Sequence, residues 1–133
     1  MAVYWDRCNV TFNNYSNSPM TFSDADATTG FIDGTPTSKV ENRSSGTFTG
    51  SSTSGSLLGC GGKVVYSLDD GTTVNIRYWT AYPYGPADSS TYFCGFGGPN
   101  ANRYHVTKNK VDIEGSNGGA GKSVSWTFDI ETL

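Results

Sequence analysis

Hydrophobic and polar residues alternate most strictly near the end of the chain, in SVSWTFDI. Val124, Trp126, Phe128 and Ile130 fall on one side, and Ser123, Ser125, Thr127 and Asp129 on the other. Side chains of an extended chain point to opposite faces in turn, so this pattern predicts a strand with one buried face. KVVYSLDDGTTVNIRYW holds two more such runs. Val64, Tyr66 and Leu68 share one face, and Val74, Ile76 and Tyr78 another, with Asp70-Gly71 between them. Asp-Gly between alternating runs is a strong hairpin signal. Shorter strands are predicted over residues 10–12, 20–22, 30–32, 47–49, 92–96, 104–107 and 110–114, the last two separated by a tight turn at Asn109. The Gly-, Ser- and Thr-rich run from Ser44 to Ser56 reads as an edge strand with loops. No segment shows a helical period with caps, and no internal repeat is visible. Eight or nine short strands predict an all-β fold: a single-domain antiparallel β-sandwich over residues 1–133.

Composition sharpens this picture. Hydrophobic residues make up only 35% of the 133, while Phe, Trp and Tyr alone reach 14%, with 17 glycines. Few aliphatics, many aromatics and frequent turn formers favour strands over packed helices. Net charge is −3, and the nine Lys and Arg residues are scattered singly. A nucleic-acid partner would require a basic stripe to displace counterions from phosphates, and a polybasic membrane anchor a similar cluster; neither is present. No run is long enough for a transmembrane helix and no apolar leader opens the chain, which predicts synthesis in the cytoplasm and later release. Cys8, Cys60 and Cys94 lack metal-type spacing. They read as reduced structural thiols, with a Cys60–Cys94 bridge as the alternative.

Catalytic chemistry finds little support. His105 is the lone histidine and sits in an alternating run; no nucleophile elbow accompanies it. Asp24-Ala-Asp26-Ala-Thr28 imitates the start of a calcium loop, but Thr29 and Thr35 stand where Gly and Glu are required, so a polar turn is predicted. The expectation is a non-enzyme without metal or cofactor.

The unusual stretch is RYWTAYPYGPADSSTYFCGF, residues 77–96, where seven of twenty residues are aromatic. Proline has no amide proton for a sheet ladder, so Tyr-Pro-Tyr-Gly-Pro leaves the sheet as a surface loop. Trp79, Tyr82 and Tyr84 are the predicted membrane- or ligand-facing residues, with Tyr92, Phe93 and Phe96 as supports or further contacts. Amphipathic rings at a surface suit the headgroup layer of a membrane, the face of a sugar or a protein partner.

The run GGKVVYSLDDGTTVNIRYWTAYPYG resembles the centre of the aegerolysins, small β-sandwich proteins of fungi and bacteria. Gly61-Gly62, Tyr66, Asp70-Gly71, Tyr78-Trp79 and Pro83-Tyr84-Gly85 carry the likeness, together with the closing GGAGKSVSWTFDIETL and, more weakly, the early NVTFNNYSN. A related Tyr-Ser-x-x-Asp-Gly stretch links the chain more distantly to actinoporins. TAYPYG lacks the acid, cysteine and tryptophan of many fungal members, and the chain is more similar to bacterial insecticidal ones. The resemblance implies recognition of membrane lipid, in a sphingolipid- or sterol-containing bilayer. It also implies pore formation with a larger second toxin component, an oligomeric state and no catalytic activity. A lectin or carbohydrate-binding module using the same aromatics is the alternative.

Overall fold

The computed structural model describes residues 6–52, 59–80, 91–114 and 123–133. Ten strands run in the order β1 (Arg7–Tyr15), β2 (Met20–Thr29), β3 (Phe31–Asp33), β4 (Lys39–Val40), β5 (Ser45–Ser51), β6 (Cys60–Leu68), β7 (Thr73–Thr80), β8 (Thr91–Gly97), β9 (Tyr104–Glu114) and β10 (Ser123–Thr132). They form two five-stranded sheets, ordered β3-β5-β1-β10-β9 and β4-β2-β6-β7-β8. Every pairing is antiparallel except β1 with β10, which run parallel. The expected β-sandwich is present, with ten strands rather than eight or nine.

The predicted inward faces are the core. Val124, Trp126, Phe128 and Ile130 of β10, Val64, Tyr66 and Leu68 of β6, and Val74, Ile76 and Tyr78 of β7 are all buried. Aromatic pairs bridge the two sheets. Phe12 meets Tyr66 edge-on at 5.0 Å, Phe48 meets Tyr78 at 5.6 Å, and Tyr92 stacks on Phe128 at 5.4 Å. Each such pair adds about 0.5–1.5 kcal/mol beyond area burial.

The β6–β7 hairpin closes through Asp69, Asp70 and Gly71. The Leu68 amide donates to the Thr72 carbonyl at 2.8 Å and the Gly71 amide to the Leu68 carbonyl at 3.0 Å. Asp70 is held from two sides, accepting from the Thr72 amide at 3.0 Å and the Tyr104 hydroxyl at 2.7 Å. The Thr72 side chain foremost, then the Tyr104 hydroxyl, hold its carboxyl below the usual range.

Four local expectations are corrected. Residues 24–28 are not a polar turn but the second half of β2, with Asp24, Asp26 and Thr28 exposed and the small Ala25 and Ala27 half-buried. Two register shifts against β6 accommodate this run. Residues 104–114 form one strand, not two joined by a turn at Asn109. The irregularity is absorbed by positive φ at Lys108 (52°) and a register shift between Thr127 and Asp129, which is a bulge. β5 is not an edge strand, because β3 pairs along its outer side. Finally, Cys60 faces Cys8 across the sandwich, with their buried Sγ atoms 2.8 Å apart, so a Cys60–Cys94 bridge does not fit. Cys94 sits on β8 opposite Ile76.

Candidate functional site

β7 and β8 run side by side, and the two-residue period of a strand sorts their side chains onto two faces. On β7, Val74, Ile76, Tyr78 and Thr80 are buried, while Arg77 and Trp79 are exposed. On β8, Tyr92, Cys94 and Phe96 pack against the core, whereas Phe93 faces outward. The predicted site residues therefore divide. Trp79 is 45% exposed and Phe93 56% exposed. Tyr92 stacks on Phe128, and Phe96 lies 5.7 Å from Tyr104, so both act as supports from the core side. Tyr82 and Tyr84 lie outside the described residues.

Register brings Trp79 and Phe93 together. Arg77 pairs with Phe93 and Trp79 with Thr91, so the two rings are diagonal neighbours on the outer face of the sheet. Both lie down on that face because glycines leave room beneath them. A Cβ at Gly61 would come within 2.9 Å of Trp79 Cδ1, and one at Gly95 within 2.6 Å of Phe93 Cζ. The Cδ1 side of the indole thus sits over Gly61, and the rest of the half-exposed ring is open to solvent.

Four further residues complete the face, and single-sequence pattern did not single them out. Asp26 pairs with Lys63, Lys63 with Arg77, and Arg77 with Phe93, giving one row of side chains across β2, β6, β7 and β8. Thr28 lies beside this row, its hydroxyl donating to the Gly61 carbonyl at 3.2 Å. A groove of about 420 Å³ runs between Asp26, Thr28, Lys63, Arg77 and Trp79, with Gly62 and Tyr78 also lining it. A smaller hollow of about 220 Å³ continues across Arg77 and Trp79 to Phe93.

Tyr78 is the most constrained member. Its side chain is 3% exposed and its hydroxyl has no hydrogen-bond partner. Burial first, and then the nearby Cys8, Cys60 and Asp26, push its pKa well above the ordinary tyrosine value. The group is therefore a neutral hydroxyl throughout the physiological range. On the opposite sheet, His105 Nε2 lies 3.3 Å from Glu131 Oε2. Among the described residues, no group of three His, Cys, Asp or Glu side chains is placed to hold a metal ion.

No protein-family model matches the chain, and no curated protein sequence does. Solved structures do match. The lipid-binding protein Nakanori superposes with a TM-score of 0.65 at 15% identity, over 92% of this chain and 70% of its own. IP-1A from Alcaligenes faecalis gives 0.58 at 13% identity, over 95% and 90% of the two chains. RahU, solved in complex with a Tris molecule, gives 0.65 at 11% identity, over 98% and 96%. At these identities the likeness is one of fold, and it is consistent with the aegerolysin-type sandwich that the sequence resembles.

Proposed function

We propose that this protein is a membrane-lipid-binding sandwich that docks through the outer face of β7 and β8. The observation that carries this reading is the pair of large aromatics, Trp79 and Phe93, exposed as neighbours on one face. The described residues expose other large apolar side chains, such as Tyr15, Phe31 and Val111, on other strands. At the observed exposures the two rings offer about 200 Å² of surface, so burying them in a headgroup layer releases about 5 kcal/mol gross. Association and ordering costs remove several kcal/mol of that, which leaves weak, reversible docking unless a second element joins. Tyr82 and Tyr84, next in the chain, are the proposed second element. The lipid-binding character of Nakanori supports the reading.

In this account the chain acts at a target-cell membrane as one component of a two-protein toxin, with a larger partner supplying the pore. Lipid recognition involves no catalytic step, so no cofactor is assigned. The test is co-sedimentation of wild type and a Trp79→Ala/Phe93→Ala variant with liposomes of phosphatidylcholine alone and with added sphingolipid and sterol. Wild type should pellet with at least one mixture and the folded double variant should stay in the supernatant. Equal pelleting of both would remove this face from the account.

A further inference from the structure

Lys63 and Arg77 stand directly opposite each other on neighbouring strands. Like charges so placed repel, and a sheet ordinarily relieves them with a carboxylate. Asp26 is the next residue in the row, but neither cation makes an ion pair with it or with any other described residue. The two cations form one wall of the 420 Å³ groove, a volume within the range of about 300–1,000 Å³ common for small-molecule sites. Beside Arg77 on β7, Trp79 is exposed, with Cδ1 of its indole over Gly61. Asp26 and Thr28 complete the rim with exposed oxygen acceptors.

From this arrangement we infer that the groove is a binding site for an acidic sugar, one carrying a carboxylate beside its ring. Each part has one role. The indole face stacks on the apolar face of the pyranose, whose C–H groups are attracted to the ring's negative quadrupole. The guanidinium of Arg77 forks onto the carboxylate with Lys63 as the second positive charge, which relieves their mutual repulsion. Asp26 and Thr28 accept from ring hydroxyls. An apolar lipid tail would leave the two cations and Asp26 unused, and a bare phosphate would leave the indole face and Asp26 unused. The inference rests on the docking reading in one respect: it assigns the sugar to the headgroup of an acidic glycolipid. A free acidic glycan offers the same chemistry.

Calorimetric titration of the full chain with N-acetylneuraminic acid, glucuronic acid, glucose and glycerol phosphate tests the site itself. Vesicle co-sedimentation identifies the source, using phosphatidylcholine with an acidic glycolipid, its neutral desialylated counterpart, or phosphatidylglycerol. Acidic sugars should bind at least about tenfold more tightly than glucose or glycerol phosphate, and acidic glycolipid vesicles should pellet more protein than either control. Lys63→Gln/Arg77→Gln should abolish that preference, and its circular dichroism should match wild type. Gln at both positions removes charge without adding bulk to an exposed face. Acidic sugar binding that is absent in wild type, or kept in the double variant, overturns the inference, as does equal recruitment by phosphatidylglycerol. If the acidic preference fails while attachment to plain vesicles persists, the docking reading stands without it. If free acidic sugars bind but no vesicle does, the site stands and the docking reading fails.

Discussion

Replacing Tyr78 by Phe should stabilise the protein. The hydroxyl is buried to 3% exposure without a hydrogen-bond partner, so the folded state bears a desolvation cost that the unfolded chain does not. That cost is about 1–3 kcal/mol for a neutral polar group. Phe keeps the ring packed against Phe48, whose centroid is 5.6 Å away, and fills nearly the same volume. The void left by one oxygen takes back part of the gain, so the net is about 1 kcal/mol. With an unfolding entropy of about 2.1 cal/mol/K per residue over 133 residues, that raises the melting temperature by about 4 °C. Calorimetry and urea unfolding at pH 7 read it directly, with an unchanged m-value showing that compactness is retained. A fall of about 1 kcal/mol or more would refute the reasoning, because it would mean that the hydroxyl has a partner in the folded protein.

Other outcomes follow from the same packing. Trp126→Ala should cost about 3–5 kcal/mol in urea unfolding, whereas Phe93→Ala, on an exposed ring, should change stability by less than about 1 kcal/mol. Burial pushes the Tyr66 hydroxyl up to about 12, and burial with the Asp70 contact pushes Tyr104 up to about 12, from an ordinary 10.0. The folded state thus favours the neutral phenols, and their stabilising share is complete below pH 10 and lost as pH rises toward 12. The urea midpoint should be level with respect to these groups from pH 7 to about 9 and fall beyond about 10. The Cys94 thiol is pushed up to about 12 by burial, leaving about one thiolate in ten thousand at pH 8. Iodoacetamide should therefore leave it unmodified in the native protein and label it in urea.

Much of the core could be read from alternation alone, because Val124 to Ile130 and Val64 to Tyr78 bury their faces against a neighbouring sheet as the pattern requires. The half-polar β2 escaped because Ala25 and Ala27 give almost no hydrophobic signal, and its pairing to β6 is a tertiary fact. The bulge at Lys108 looked like a turn, since a left-handed residue followed by Asn serves both purposes. Trp79 was legible as an exposed aromatic. Its neighbours were not, and the reason is register. The loop has three residues, Asp69–Gly71, which sets Lys63 opposite Arg77. A two-residue Asp70-Gly71 loop would instead oppose Lys63 and Tyr78, mixing the two faces, so the charged row depends on one residue of loop length. The Asp26 end of the row depends further on the β2 bulges.

The central claim is that the outer face of β7 and β8 meets the membrane, and tryptophan quenching by brominated lipids tests it most directly. Trp126 is buried at 1% exposure, whereas Trp79 is 45% exposed, so comparing wild type with Trp79→Phe isolates the surface ring. On vesicles of otherwise identical composition, bromination of the lipid should dim wild-type emission, and most of that loss should vanish in the variant. Equal quenching of the two proteins, at equal bound fraction, would contradict the account and move the contact to another face.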